Sequence, residues 1–387
     1  MITLAALNAL PQEEFIHTLG DVFEHSPWVA ACALRSRPFH SRLQLLDVMR
    51  TVVAEAGLET QLSLIRAHPQ LRARPDGGMS ASSASEQRSA GLAGSSVRHA
   101  EQLEQLNAAY TARFAFPFVL AVRGHTPASI LAAMEARLAN DKAQERETCL
   151  REIGRIAAYR LHERVSSPIS AEVIAMLGKL SDDPLAPTAP ASPCCGTATA
   201  PAGLVREWMH LAGMAVHMGA GGYVVGRTSI ARERTAVLIA GLYYDAGTHE
   251  AACGCRMDSL LVIAALQQLT QQRISPACDV AVIARPQGPR DPDAAGRLYI
   301  DESPSYVTLR QLDKTGADSE AHEALLTLRS AGVPDCGLVS MRWPGRHREW
   351  RTDSFPDADT LEWASSLWMR RLLDPLSGSE QQVFTHE

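Results

Sequence analysis

Two short stretches of the chain carry residue types that can move protons. The first is Ala67-His68-Pro69-Gln70-Leu71. The second, a loop later, is Ser83-Ala84-Ser85-Glu86-Gln87. An imidazole titrates near neutral pH, so His68 is the natural candidate for proton transfer. Pro69 disfavours helical geometry at the residue before it, so a helix should end at His68 and project the ring from its end. Ser83, Glu86 and Gln87 follow at helical spacing and offer a hydroxyl, a carboxylate and an amide on one compact face. Free N–H groups in a first helical turn also favour an anion. Arg160 adds a planar fork that could hold a carboxylate or ureide oxygens bidentately.

Spacing alone leaves a plainer account open for each residue. A lone histidine more often caps a helix or fills a polar core position. Ser83-x-x-Glu86 has the spacing of a capping box. An arginine such as Arg160 is most commonly exposed.

The elements that must place these groups are helical over the first ~165 residues. Leu43, Leu46, Met49 and Val53 make one apolar stripe, widened by Leu45, Val48 and Val52. Thr126-Pro127 reads as an N-cap with proline at the first helical position. It opens a helix that buries Ile130, Leu131, Met134 and Leu138. The segment 145–161 puts Leu150, Ile153, Ile156, Ala157 and Leu161 on one side. Residues 116–122 are strand-like in composition, or a buried helix start entered at Pro117. Pro75-Asp76-Gly77-Gly78 marks a loop between two helices.

From Ser166 the texture changes. A helix over 171–180 leads into the Pro/Ala/Thr-rich run 183–193. Helix and strand then alternate: a helix over 204–213, strands at 223–225 and 236–240, a helix over 258–269 and a strand at 279–283. Helices over 317–331 and 361–373 flank a strand at 338–341. That order implies an α/β layer with parallel strands.

The chain as a whole narrows the function classes. With 387 residues it is long enough for two domains. Hydrophobic residues at 46% and charged residues at 21% are the mix of a soluble globular protein. No apolar run is long enough to cross a bilayer, and the N-terminus lacks the basic start of a secretory signal. A net charge of -6 gives no general attraction to nucleic acid or to an anionic membrane. The eight cysteines are irregularly spaced, as free thiols in a reducing cytoplasm would be. Cys194-Cys195 and Cys253-x-Cys255 lack the C-x-x-C spacing of a zinc ribbon.

Six blocks of the first half match, in order, a known family. They are Phe23-Glu24-His25-Ser26-Pro27-Trp28, Ala67–Leu71, Ser83–Gln87 with Ala90-Gly91-Leu92, Asn107 to Val119, Arg137-x-x-Asn140, and Glu152 to Leu161. Together they resemble the 2-oxo-4-hydroxy-4-carboxy-5-ureidoimidazoline (OHCU) decarboxylases of urate breakdown. The resemblance implies an all-α fold, no metal and no organic cofactor. It implies His68 and Glu86 as catalytic residues. It implies Pro69, Ser83, Gln87, Phe118, Val119 and Arg160 as substrate-binding residues. The substrate's carboxylate stands next to a C=N bond, which can accept the electrons left by carbon dioxide. The substrate is then its own electron sink, and the protein must orient it and manage a proton. His68 paired with Glu86 is the expected proton-handling unit.

The second half resembles the start of the allantoate amidohydrolases, in the M20 metallopeptidase-like group. The blocks are Asp183-Pro184, Leu204 to Met214, Gly222 to Arg227 and Gly241 to Asp245. Tyr243 stands where that family has a metal-binding histidine. Gly254 falls near the bridging aspartate, and Pro286-Gln287 on the Glu-Glu pair. His347 is the one candidate for a leftover of the late metal histidine, and a structural role is the expected one for it. A metal-free, non-catalytic domain is the implied reading. Two alternatives stand beside it. One is a bifunctional enzyme that also hydrolyses a ureide through Asp245, His249, Asp258 and cysteines. The other is a scaffold or dimerisation module.

The expected organisation is an all-α domain over 1–165, a helix and linker over 166–202, and a smaller α/β domain with a mostly parallel sheet over 203–387. A cytoplasmic homodimer acting on a small molecule is the expected assembly, without nucleic acid or membrane as partner.

Overall fold

The computed structural model describes residues 1–72, 83, 86, 97–180, 201–218, 224–228, 237–243, 250–276, 279–285, 306–307 and 338–339, with five positions between 365 and 373. The chain divides into two compact units. One holds 1–167 and 190–197, the other 168–189 and 198–387. The described residues are mostly helical. Among them no helix is long and apolar enough to cross a membrane.

Among its described residues, the regular structure of the first unit is helical apart from one short parallel pair, in which β1 (Ile2–Thr3) meets β2 (Val165–Ser166). Helices Leu4–Ala9, Gln12–Leu19, Pro27–Ala33, Arg42–Glu55 and Leu58–Ala67 come first. Val97–Phe114, Pro127–Arg137 and Lys142–Arg164 follow. The apolar stripe of Arg42–Glu55 is buried at Leu43, Leu46, Met49 and Val53. Thr126 caps its helix, and Ser129 returns the bond to the cap.

Lys142–Arg164 is the element around which the unit is built. Asp141 and Gln144 close a capping box at its start. Its buried residues include Glu145, Cys149, Glu152, Ile156 and Arg160, three or four apart. That spacing puts them on one face of the helix. The sequence reading took the apolar members of this face as its content. The polar members are buried with them.

Residues 117–122 form neither the strand nor the helix that their composition suggests. Side chains from distant helices hold them in place of a ladder. Arg137 donates to the Val119 carbonyl at 2.8 Å, and Glu152 accepts the Ala121 N–H at 3.0 Å. A buried backbone needs partners, and here two charged groups supply them.

In the second unit the helix Ile169–Leu180 packs on Glu250–Gln272. The helix Pro201–Leu211 ends two residues before Gly213, whose φ of +73° suits glycine. A six-stranded sheet runs β3 (Ala215–Met218), β4 (Val224–Arg227), β6 (Asp279–Arg285), β5 (Val237–Tyr243), β8 (Leu338–Val339) and β7 (Tyr306–Val307). The expected mostly parallel sheet is mixed among the described residues. β5 pairs in parallel with β6 and β8. The pairs β3–β4, β4–β6 and β7–β8 are antiparallel. The strand β3 was not anticipated: it follows the Gly213 turn and pairs back through β4, which reverses the local direction. The helix expected over 317–331 lies outside the described residues.

Candidate active site

His68 is the C-cap of Leu58–Ala67, with φ -76° and ψ 135°. Pro69 has the effect its ring predicts, turning the chain out of the helix. The imidazole folds back on the last turn. Its Nδ1 lies 2.9 Å from the Leu64 carbonyl oxygen. A carbonyl can only accept, so Nδ1 carries the hydrogen and Nε2 carries the lone pair. His68 is 6% exposed, and Nε2 has no hydrogen-bond partner among the described residues. Burial pushes the ring's pKa down to about 4, against the opposing pull of the Leu64 carbonyl and the Glu24 charge. The ring is therefore a neutral base at neutral pH.

One pocket is lined by His68, Pro69, Ser83, Glu86, Phe118, Val119 and Arg160. Seven of the eight residues singled out from the sequence thus meet at one place. Gln87 lies outside the described residues. Leu71 also lines the pocket, and Asn107 Nδ2 holds its carbonyl at 2.8 Å.

Two details differ from the expectation. His68 is not paired with Glu86: among the described residues its hydrogen bond goes to Leu64. Glu86 instead takes Arg160 Nε at 3.0 Å on one oxygen and a terminal nitrogen at 3.2 Å on the other. Nor is the Arg160 fork open to a ligand. Its remaining N–H groups reach the Asp21 carbonyl at 3.1 Å, Glu24 at 2.7 Å and Ser83 Oγ at 3.0 Å. A guanidinium has five N–H donors, and protein acceptors take all five. The physical reason is burial: a cation only 3% exposed must be fully paired. Burial works against its charge, but the Glu86 and Glu24 carboxylates outweigh it and hold Arg160 firmly ionised. Burial also raises the Glu86 pKa, against the pull of Arg160.

Sequence reasoning missed Glu24, which is 1% exposed and also accepts from Ser83 Oγ at 2.9 Å. It lies in the Phe23–Trp28 block, but nothing in its spacing named a partner. It also missed the group behind the pocket wall. There Arg137 bonds Glu145 through Nε at 2.8 Å and stacks on the Phe118 ring, 4.3 Å from its centroid. Tyr110 donates to the same carboxylate, and Asn140 donates to its other oxygen at 2.6 Å. Of the residues considered for a metal in the second half, Asp245 and His249 lie outside the described residues. Only the backbone of Asp258 is described, within Glu250–Gln272.

Comparison with known proteins finds relatives of the first part of this chain. The family model described as OHCU decarboxylase matches residues 8–162. A 2-oxo-4-hydroxy-4-carboxy-5-ureidoimidazoline decarboxylase of Haloferax volcanii is 43% identical over 166 residues, covering 43% of this chain and 98% of that protein. The uric acid degradation bifunctional protein PucL of Bacillus subtilis is 40% identical over 166 residues, 33% of its length. A solved OHCU decarboxylase, crystallised in the presence of (S)-allantoin, is 24% identical and covers 39% of this chain and 96% of that one, at a TM-score of 0.32. Through its first 160 or so residues, the chain belongs to the OHCU decarboxylase family of carboxy-lyases.

Proposed function

We propose that the first unit decarboxylates OHCU to (S)-allantoin, with His68 as the proton-handling base. The observation that carries this is the tautomer of a pocket-lining histidine: Leu64 takes Nδ1–H, which leaves the lone pair on Nε2, an atom with no hydrogen-bond partner among the described residues. In the reaction the bond from C4 to the carboxylate breaks. Its electron pair moves into the adjacent C=N, and carbon dioxide leaves. The 4-hydroxyl gives its proton to Nε2 and becomes the carbonyl of the product. His68 then returns that proton to C5, on one face, which sets the stereocentre. The proton that balances loss of the carboxylate comes from solvent and ends on the ring nitrogen. No cofactor enters, because the C=N takes the electrons. Glu86 and Gln87 hold the ureido and ring polar atoms. Arg160 contributes its charge and the placement of Glu86 and Ser83. Pro69, Phe118 and Val119 close the ring in.

Freshly generated OHCU supplied to the purified protein tests this reading. Accelerated formation of one allantoin enantiomer is the expected result. Racemic product at the spontaneous rate overturns it. A second expected result follows from His68. The value of kcat/KM should fall about tenfold per pH unit below about 4, where the free enzyme's imidazole takes a proton. Rates measured across the acid range, with circular dichroism to confirm the fold, check it.

For the remainder we propose a domain boundary near 165, a helix and Pro/Ala-rich linker over 166–202 and an amidohydrolase-like, non-catalytic domain over 203–387. The support is the sequence blocks 204–214, 222–227 and 241–245, with the replaced ligand positions. A homodimer in the cytoplasm remains part of the same proposal. Light scattering on the intact chain tests the oligomer. Stoichiometric divalent metal, lost together with allantoate hydrolysis on chelation, overturns the non-catalytic reading.

A further inference from the structure

Glu24 reaches the pocket through two of its lining residues. It is absent from the lining, yet it contacts two residues that are in it. One oxygen accepts Ser83 Oγ–H at 2.9 Å and stands 2.7 Å from an Arg160 terminal nitrogen. Arg160 in turn holds both oxygens of Glu86. Glu24 and Glu86 therefore share one guanidinium, with the deeper carboxylate 2% exposed and the outer one 28%. His25 follows at φ 48°, a backbone conformation uncommon for a residue other than glycine. That turn presents Glu24 inward while the His25 side chain stays 67% exposed.

We propose that Glu24 is a positioning residue for the decarboxylation: by closing the Arg160 fork and holding Ser83, it fixes Glu86 and Ser83 at the pocket wall. The inference rests on the decarboxylase reading. Without Glu24, one N–H of Arg160 and the O–H of Ser83 lose their acceptor. The fork is then free to rotate toward the pocket, and Glu86 moves with it.

The charge on Glu24 gives the proposal a signature that packing alone would not. The charged and titratable groups around it are Arg160 from Lys142–Arg164, His68 from the end of Leu58–Ala67, Glu86, and Asp21 and His25 on its own segment. Farther out, Glu163 acts on Glu86, and Arg164 pairs with Asp21. Its negative charge raises the proton affinity of both His68 and Glu86. Removing that charge should lower both, so the two groups shift in the same direction whichever one limits the rate.

The experiment measures the pH profile of kcat/KM, with kcat and KM separately, for wild type, Glu24→Gln and Glu24→Asp. In Glu24→Gln the profile should move to lower pH by about one unit, and kcat should fall at least tenfold. Glu24→Asp keeps the charge but withdraws the oxygens, so kcat should fall while the profile stays in place. A Glu24→Gln profile that superimposes on wild type overturns the proposal. If Glu24→Gln does not fold, wild-type kcat and KM in Glu24→Asp overturn it. A wild-type protein inactive on OHCU is a different failure, that of the decarboxylase reading itself.

Discussion

His68→Asn is expected to cut decarboxylation by roughly 10²–10⁴-fold while leaving the fold in place. The asparagine amide can still donate to the Leu64 carbonyl, so the end of Leu58–Ala67 keeps its local bond. What is lost is a basic nitrogen in the pocket wall. An amide oxygen accepts a hydrogen bond but cannot take the hydroxyl proton or return it to carbon. Binding should change little, because His68 contributes one hydrogen bond among several polar contacts. The measurement is single-turnover decay of OHCU with chiral detection of allantoin, beside product affinity by calorimetry. A variant with wild-type rate and wild-type product chirality would remove His68 from the chemistry. Weak binding with an unchanged maximal rate would make it a binding residue instead.

Arg160→Met should be the most damaging single change to stability in this unit. It leaves the Glu24 and Glu86 carboxylates and Ser83 without the cation that joins them. Breaking a buried pair by removing one partner costs about 3–5 kcal/mol, because the surviving charge stays buried. Methionine fills much of the volume, so the loss is mainly electrostatic. The pH dependence follows with a definite sign. Without the guanidinium both carboxylates have proton affinities raised above their unfolded values. Groups raised in this way stabilise the fold at low pH and lose that contribution as pH rises through their folded pKa. The gap between wild type and variant should therefore be wider at pH 7 than at pH 5. Urea unfolding at both pH values checks this. A loss under about 1 kcal/mol, or one that does not vary with pH, would mean the cluster is solvated and weak. Arg160→Lys should fall between, since a point charge with three donors cannot serve five acceptors.

The second prediction turns on contacts between residues far apart in the chain. Arg160 meets Ser83 across 77 positions and Glu86 across 74. The sequence reading placed these residues in one site, and it did so through blocks of motif rather than through spacing. It misjudged how they connect. A free arginine fork was expected because that is the residue's usual function in a ligand site. Burial on the inner face of Lys142–Arg164 gives it protein acceptors instead. The segment 117–122 was open to two readings and adopts neither, because Arg137 and Glu152 satisfy its backbone from outside.

In sequence, His68 is an imidazole at a helix end and Glu86 a carboxylate one loop later. The helix end is local chemistry: Pro69 excludes helical geometry at His68, so four neighbouring residues were enough to predict the projecting ring. The caps at Thr126 and Asp141 and the apolar stripe of Arg42–Glu55 are equally local, set by hydrogen bonds and spacing within a few turns. The partner of each buried charge is not local. Glu24, Ser83, Glu86 and Arg160 come from separate segments, and which donor faces which acceptor depends on how those segments pack. The Leu64 carbonyl that takes His68 Nδ1–H is one turn back in the same helix, but the burial that makes the ring a neutral base comes from tertiary packing. The desolvation of that ring, and the full pairing of the arginine beside it, exist only once the helices close over them.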